Sequence, residues 1–123
     1  PNFSAAFYGV FHDFDRKRAF KIFNKSCSAE SGRALCEIGF PYFFSPSPTD
    51  INAEGIKCPT LIIGAGRDRI TPVQISKKLK KKLGEKSELI IFKKFSHYIM
   101  EGEEFSTIFQ YIVKWIKKNK INP

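Results

Sequence analysis

A chain of 123 residues with 42% hydrophobic content is long enough for one domain and short for two cores of ordinary size. Its formal charge of +9 raises the question of polyanions, but the excess is uneven: residues 1–50 carry six basic and five acidic side chains and residues 51–123 carry fifteen and seven. No stretch approaches the ~20 consecutive apolar residues of a bilayer-spanning helix, so no membrane partner is expected.

The opening "PNFSAAFYGV" has neither the basic leader nor the long apolar segment of a signal peptide. Pro1 has no Met before it, and the chain is expected to be a processed, truncated or excised piece. Cys27, Cys36 and Cys58 form no C-x-x-C pair and leave one thiol over if two bond. Reduced thiols in a cytoplasmic protein are the simplest reading. His12 and His97 are the only histidines, and neither lies near two cysteines at zinc-like spacing, so neither a metal nor another cofactor is expected.

Residues 1–40 are rich in phenylalanine and helical in texture. "DRKRAFKIFNKS" places Ala19, Phe20 and Phe23 on one side, and "SAESGRALCEIG" opens on serine caps followed by an acid and ends at Gly39, which predicts two or three short amphipathic helices. The phenylalanines at 3, 7, 11, 14, 20 and 23 could line an acyl or aromatic pocket, although a helical aromatic stripe more often packs inward as core. His12 in "FHDFD" could hold a cation together with Asp13 and Asp15, against the plainer reading of hydrated surface carboxylates. "GFPYFFSPSPTD" then holds three prolines in twelve residues and reads as a linker. Residues 1–50 are thus expected to form a helical segment with its linker, and residues 51–123 a second unit.

From Ile56 the pattern becomes strand, helix, strand, helix. "TLIIGAG" is a short continuous apolar run bounded by Pro59 and glycines, as in a strand buried on both faces of a parallel sheet. Thr71 and Pro72 start a helix. Within it, "ISKKLKKKLGEK" repeats Ile75, Leu79 and Leu83 at i, i+4 and i+8, giving one apolar face and a solvated lysine surface. No aromatic interrupts the lysines to stack on bases, so no nucleic-acid partner is expected. "SELIIFKKF" supplies a second strand. The last helix is expected to turn Phe105, Ile108, Phe109, Ile112 and Ile116 inward, with Glu103 and Glu104 at its start and Lys114, Lys117 and Lys118 at its end, as the helix dipole favours. This order predicts α/β architecture with parallel strands. Two parallel strands need neighbours, so a preceding half, or another copy meeting the sheet edges, is the expected partner.

In open α/β sheets the working groups lie beyond the carboxyl ends of the strands. "LIIGAGRD" places Asp68 there and "ELIIFKKFSH" places His97 there. A carboxylate that accepts from one imidazole nitrogen sets the tautomer and leaves the other nitrogen as a base. The competing reading pairs Asp68 with Arg67 or Arg69 at the loop surface, where such pairs contribute only ~0–1 kcal/mol, and makes His97 a satisfied structural residue.

The stretch "IKCPTLIIGAGRDRITP", the lysine-rich helix after it and "SELIIFKKFSHYIMEGEEFSTIFQYIVKWI" together resemble the C-terminal portion of the alpha/beta-hydrolase fold, in which a G-x-x-D-x-x-x-P stretch carries the triad acid and a G/S-H stretch the triad histidine. Gly66 lies two residues before Asp68 and Pro72 four after it. The resemblance covers residues 56–118, and residues 1–50 more loosely resemble the helical cap of those enzymes. It implies that Asp68 is the triad acid and His97 the general base of a serine-type hydrolase. The implied substrate is an ester, thioester, lactone or amide of a largely apolar small molecule. No G-x-S-x-G elbow occurs in these residues, and none of Ser4, Ser26, Ser28, Ser31, Cys27 or Cys36 has the flanking glycines of one. The chain alone is therefore expected to be inactive and to work when joined to an N-terminal half. Two other classes remain open: a binding or interaction module that keeps the fold without a nucleophile, and a basic polyanion binder.

Overall fold

The structure, a computed structural model, describes residues 2–28, 31–47 and 49–120, apart from the side chains of Leu35 and Glu103. The acid expected at Glu30 and the Glu103 carboxylate therefore fall outside the described parts.

Three helices form the first 40 residues. The first, α1, runs Phe3–Gly9 and is capped by Asn2, whose side chain accepts from Ser4 N. The second, α2, runs Arg16–Ser26, and the Asp15 carboxylate accepts from Lys17 N and Arg18 N at its start. Each cap satisfies backbone donors that the first helical turn leaves without partners. The third, α3, spans Gly32–Gly39 under a Ser31 cap. The corner between α1 and α2 buries Phe11, Ala19 and Ile22, with Phe3, Phe7, Phe14 and Phe23 packed around them. Most of the phenylalanine stripe is thus this segment's own core. Phe20 is the exception, half exposed although its ring meets Phe3 edge-on. The proline-rich stretch after α3 contains a short helical turn, Pro41–Phe43, that leaves Tyr42 and Phe43 almost fully exposed.

The rest is mixed α/β. Strand β1, Thr60–Ala65, and strand β2, Ser87–Phe92, pair in parallel with Thr60 opposite Ser87 and Ala65 opposite Phe92. Helix α4, Val73–Leu83, makes the crossover. Its C-terminus is closed by Gly84 at φ 65°, a left-handed conformation that glycine adopts without the steric penalty of a Cβ. Lys80 donates from Nζ to the Gly84 and Ser87 carbonyls, so one lysine of the basic run secures the turn into β2.

Helix α5, Gly102–Lys118, lies on the opposite face of the sheet. Register settles this, because Gly64 faces Ser76 of α4 while Phe92 and Glu88, of the other parity, meet Tyr111 of α5. Glu88 accepts from the Tyr111 hydroxyl at 2.9 Å and from Lys118 at 3.1 Å. Those contacts hold the Glu88 carboxyl below the usual range, with Lys118 the larger cause, and the same carboxylate raises the Tyr111 phenol.

Three expectations about burial need correction. Ile108 is buried and Ile112 and Ile116 are half-buried, but Phe105 and Phe109 of the expected inner face are exposed, stacked on each other at 5.9 Å. In α4, Leu79 and Leu83 are half-buried while Ile75 is exposed. Likewise β1 buries Ile62 and Gly64 but leaves Leu61 and Ile63 half-covered. The cause is width: two strands ~4.8 Å apart cannot cover helices ~10 Å across, so the apolar stripe of each helix overhangs the sheet. No helix among the described residues is long and apolar enough to cross a membrane.

Candidate active site

Both strands end at the same edge and each runs into a short loop. The loops are stitched together by Gly66 N to Phe92 O at 2.9 Å and Arg67 N to Phe95 O at 2.9 Å. Such close approach depends on Gly66: a Cβ there would fall 2.5 Å from the Lys93 carbonyl oxygen and 2.6 Å from its Cα. Backbone atoms cannot swing aside as a side chain can, so the glycine before the acid sets the separation of the two loops.

Asp68 stands at the first loop's tip with its side chain 7% exposed. Oδ1 accepts from Ile70 N and Thr71 N, both at 2.8 Å, and Oδ2 accepts from Thr71 Oγ1 at 2.6 Å. This is an Asx-type turn, in which an aspartate binds the backbone two and three residues on. Across from it His97 places Nδ1 3.1 Å from Oδ1 and 3.0 Å from Oδ2. Burial works against a charged carboxylate here, but the hydrogen bonds from Thr71, His97 and Ile70 outweigh it and hold the Asp68 carboxyl below its ordinary value. An ionised Asp68 orients the imidazole with Nδ1–H toward the acid. Nε2 is then the basic nitrogen, on a side chain still 34% exposed.

A cleft of about 210 Å³ opens beside the pair, walled by Ile63, Ala65 and Ile99, with Thr71 and Ser76 as its hydroxyls. The sequence marks Thr71 only as part of a helix start and gives Ser76 no role. The D-x-x-T spacing could have flagged Thr71 as the partner of an Asx turn. Ser76 carries no such signal; it reaches the cleft because the opposing strand residue, Gly64, has no side chain.

The arginines beside Asp68 do not pair with it. Arg67 Nη2 donates to Asp13 Oδ1 at 2.7 Å, and Arg69 Nη1 donates to the Tyr8 carbonyl at 3.0 Å with its guanidinium over the Tyr8 ring. Asp15 is an exposed surface carboxylate, as the plainer reading expects, and Asp13 is an exposed residue whose side chain alone is largely covered. His12 Nε2 lies 3.3 Å from Asp13 Oδ1, and Asp15 turns away to cap α2. Among the described residues no group of three or more His, Cys, Asp or Glu side chains is arranged to hold a metal. Cys27, Cys36 and Cys58 are free and exposed.

Comparison of the chain with known proteins returned no match to a family, to a curated protein or to a solved structure. The chemistry of the site therefore rests on its geometry: a buried, internally bonded carboxylate that presents one imidazole as a base beside a small cleft with apolar and hydroxyl walls.

Proposed function

We propose that this chain supplies the acid and the general base of a serine-type alpha/beta-hydrolase, with the nucleophile carried by a G-x-S-x-G strand–turn–helix segment outside these residues. The observation that carries the reading is the Asp68–His97 contact at 3.0 Å, made by residues at the carboxyl ends of adjacent parallel strands. In this reading His97 Nε2 takes the nucleophile's hydroxyl proton as the hydroxyl attacks an acyl carbon and returns that proton to the leaving group. It then removes a proton from the water that cleaves the acyl-enzyme. Asp68 stays ionised throughout and stabilises the transient imidazolium. Ile63, Ala65 and Ile99 around the cleft suit an ester, thioester, lactone or amide of an apolar small molecule.

A second reading, a binding module that keeps this fold without a nucleophile, draws on the exposed Phe105, Phe109 and Ile75. The polyanion reading is weakened by the engagement of Lys80 with two carbonyls and of Lys82 with Asp50. Reading the gene upstream of the Pro1 codon and treating the whole product with a fluorophosphonate separates the first two. An elbow serine that is labelled, with labelling abolished by His97→Ala, is the expected result. A whole product with no elbow and no labelled serine favours the binding module.

A further inference from the structure

The Asp68 loop and the His97 loop are both gripped by one piece of the N-terminal segment, the corner at residues 8–14. Arg67, Arg69 and Ile70 each end on it: Arg67 on Asp13, Arg69 on Tyr8, and Ile70 on Gly9, where an added Cβ would come within 2.6 Å of the Ile70 Cδ1 methyl. On the other loop Tyr98, next to His97, sits between Phe11 at 5.2 Å and Phe14 at 5.8 Å. Asp68 is bonded to His97 and to its own loop, while the chain neighbours of both are seated on the corner.

We infer that this corner, through Asp13, is a positioning element for the acid and the histidine. The Asx turn fixes the Asp68 carboxylate within its own loop, but it does not fix how that loop lies against the His97 loop. The two backbone bonds between the loops act as a hinge along the line of the strands, and side-chain contacts beyond the hinge are needed to set the angle across it. Asp13 is suited to this task. Its side chain is 17% exposed against 57% for Arg67, so the rigid partner is the acid and the arginine is the strut drawn down to it. His12 lies behind Asp13 with an almost buried ring, and its Nδ1 finds no hydrogen-bond partner among the described residues. An unpartnered buried imidazole nitrogen carries a desolvation cost, and the same ring sets its Nε2 against Asp13. Asp13 touches neither reacting atom and acts through Arg67.

This inference rests on reading Asp68 and His97 as acid and base, and its test does not measure hydrolysis. Imidazole 15N spectra of the 123-residue chain report the tautomer of each histidine, and there are only two to assign. Wild-type His97 is expected chiefly as the Nδ1–H form. In Asp13→Asn and in Arg67→Gln the backbone amide spectrum should stay folded while the Nδ1–H to Nε2–H ratio of His97 falls roughly threefold or more, the effect of loosening one modest hydrogen bond. The double variant should fall no further than either single one, and Arg67→Lys should recover most of the ratio. An unchanged ratio in a folded variant overturns the inference. Unfolding of both variants overturns it too, because it makes the contact a support of the whole fold. If Asp13→Asn alone unfolds, the more exposed Arg67 position decides. A whole product with no labelled elbow serine, found together with the tautomer shift in the 123-residue chain, would count against the proposed function and leave the positioning role standing.

Discussion

At the scale of single residues, the carboxylate of Asp68 serves two tasks at once, closing its own turn and orienting His97. Asp68→Asn keeps the size but removes the charge and sets an amide against donors. It should cost about 1–3 kcal/mol of stability by urea denaturation and, in a complete enzyme, lower turnover by up to ~10⁴-fold through the wrong tautomer. Because the folded carboxyl titrates below its ordinary 3.8, its contribution is fully present above that pH and is lost as pH falls through the lower folded value. Asp50 and Glu88 are lowered as well, so the informative quantity is the difference: urea midpoints of wild type and Asp68→Asn should converge on acidification from about pH 5 to about pH 2. A constant gap would show that the charge of Asp68 is not what stabilises the turn. Gly66→Ala is expected to be severe, about 1–3 kcal/mol or more, since the new methyl meets the Lys93 backbone; a silent substitution in the same titration would refute the tight-approach account.

Among the elements, α4 shows how one basic run divides its labour. Lys80 caps the helix end through two carbonyls, whereas Lys78 and Lys81 are exposed. Lys80→Met should therefore lower stability by about 1 kcal/mol, and Lys78→Gln with Lys81→Gln should change it by less than ~0.5 kcal/mol. Equal effects in thermal melts would mean that net charge, rather than the cap, sets the helix's contribution. In the N-terminal segment Phe11, 1% exposed, joins the α1–α2 core to Tyr98. Phe11→Ala should cost about 3–5 kcal/mol and broaden the amide signals of residues 67–70 and 97–99 in the same sample. A loss confined to α1 and α2 would show that the corner and the site loops are not coupled.

For the whole molecule, the parallel sheet has two strands among the described residues, so that among them neither outer edge has a neighbouring strand and Ile75, Phe105 and Phe109 of α4 and α5 are exposed. Unpaired strand edges invite further pairing. Sedimentation of the 123-residue chain is expected to show concentration-dependent self-association, and acyl-ester assays should show no enzymatic rate, because acid and base without a nucleophile act on nothing. Fusion to a segment carrying the elbow should raise hydrolysis and reduce association together. A stable monomer would contradict the sheet-edge argument, and hydrolysis that persists in His97→Ala would contradict the site.

Local pattern was enough for much of this. The apolar runs at 60–65 and 87–92, the i, i+4, i+8 repeat of α4 and the glycine-flanked acid are written in consecutive residues, and they yield the strands, the crossover helix and the parallel pairing that carries Asp68 and His97 to one edge. Chain-local signals act over a few residues, so they also predict caps such as Ser31. They cannot say which surface a distant segment will cover. That is why Phe105 and Phe109 are exposed where periodicity turned them inward, and why the arginines beside Asp68 answer to Tyr8 and Asp13, more than fifty residues away, instead of to their neighbour. Strand and helix identity was determined by the sequence through backbone propensity and hydrophobic period. The grip of the 8–14 corner on both loops, the contact of Asp13 with Arg67 and the cleft opened by Gly64 were decided only by tertiary structure, because each depends on packing between segments whose separation along the chain carries no local signal.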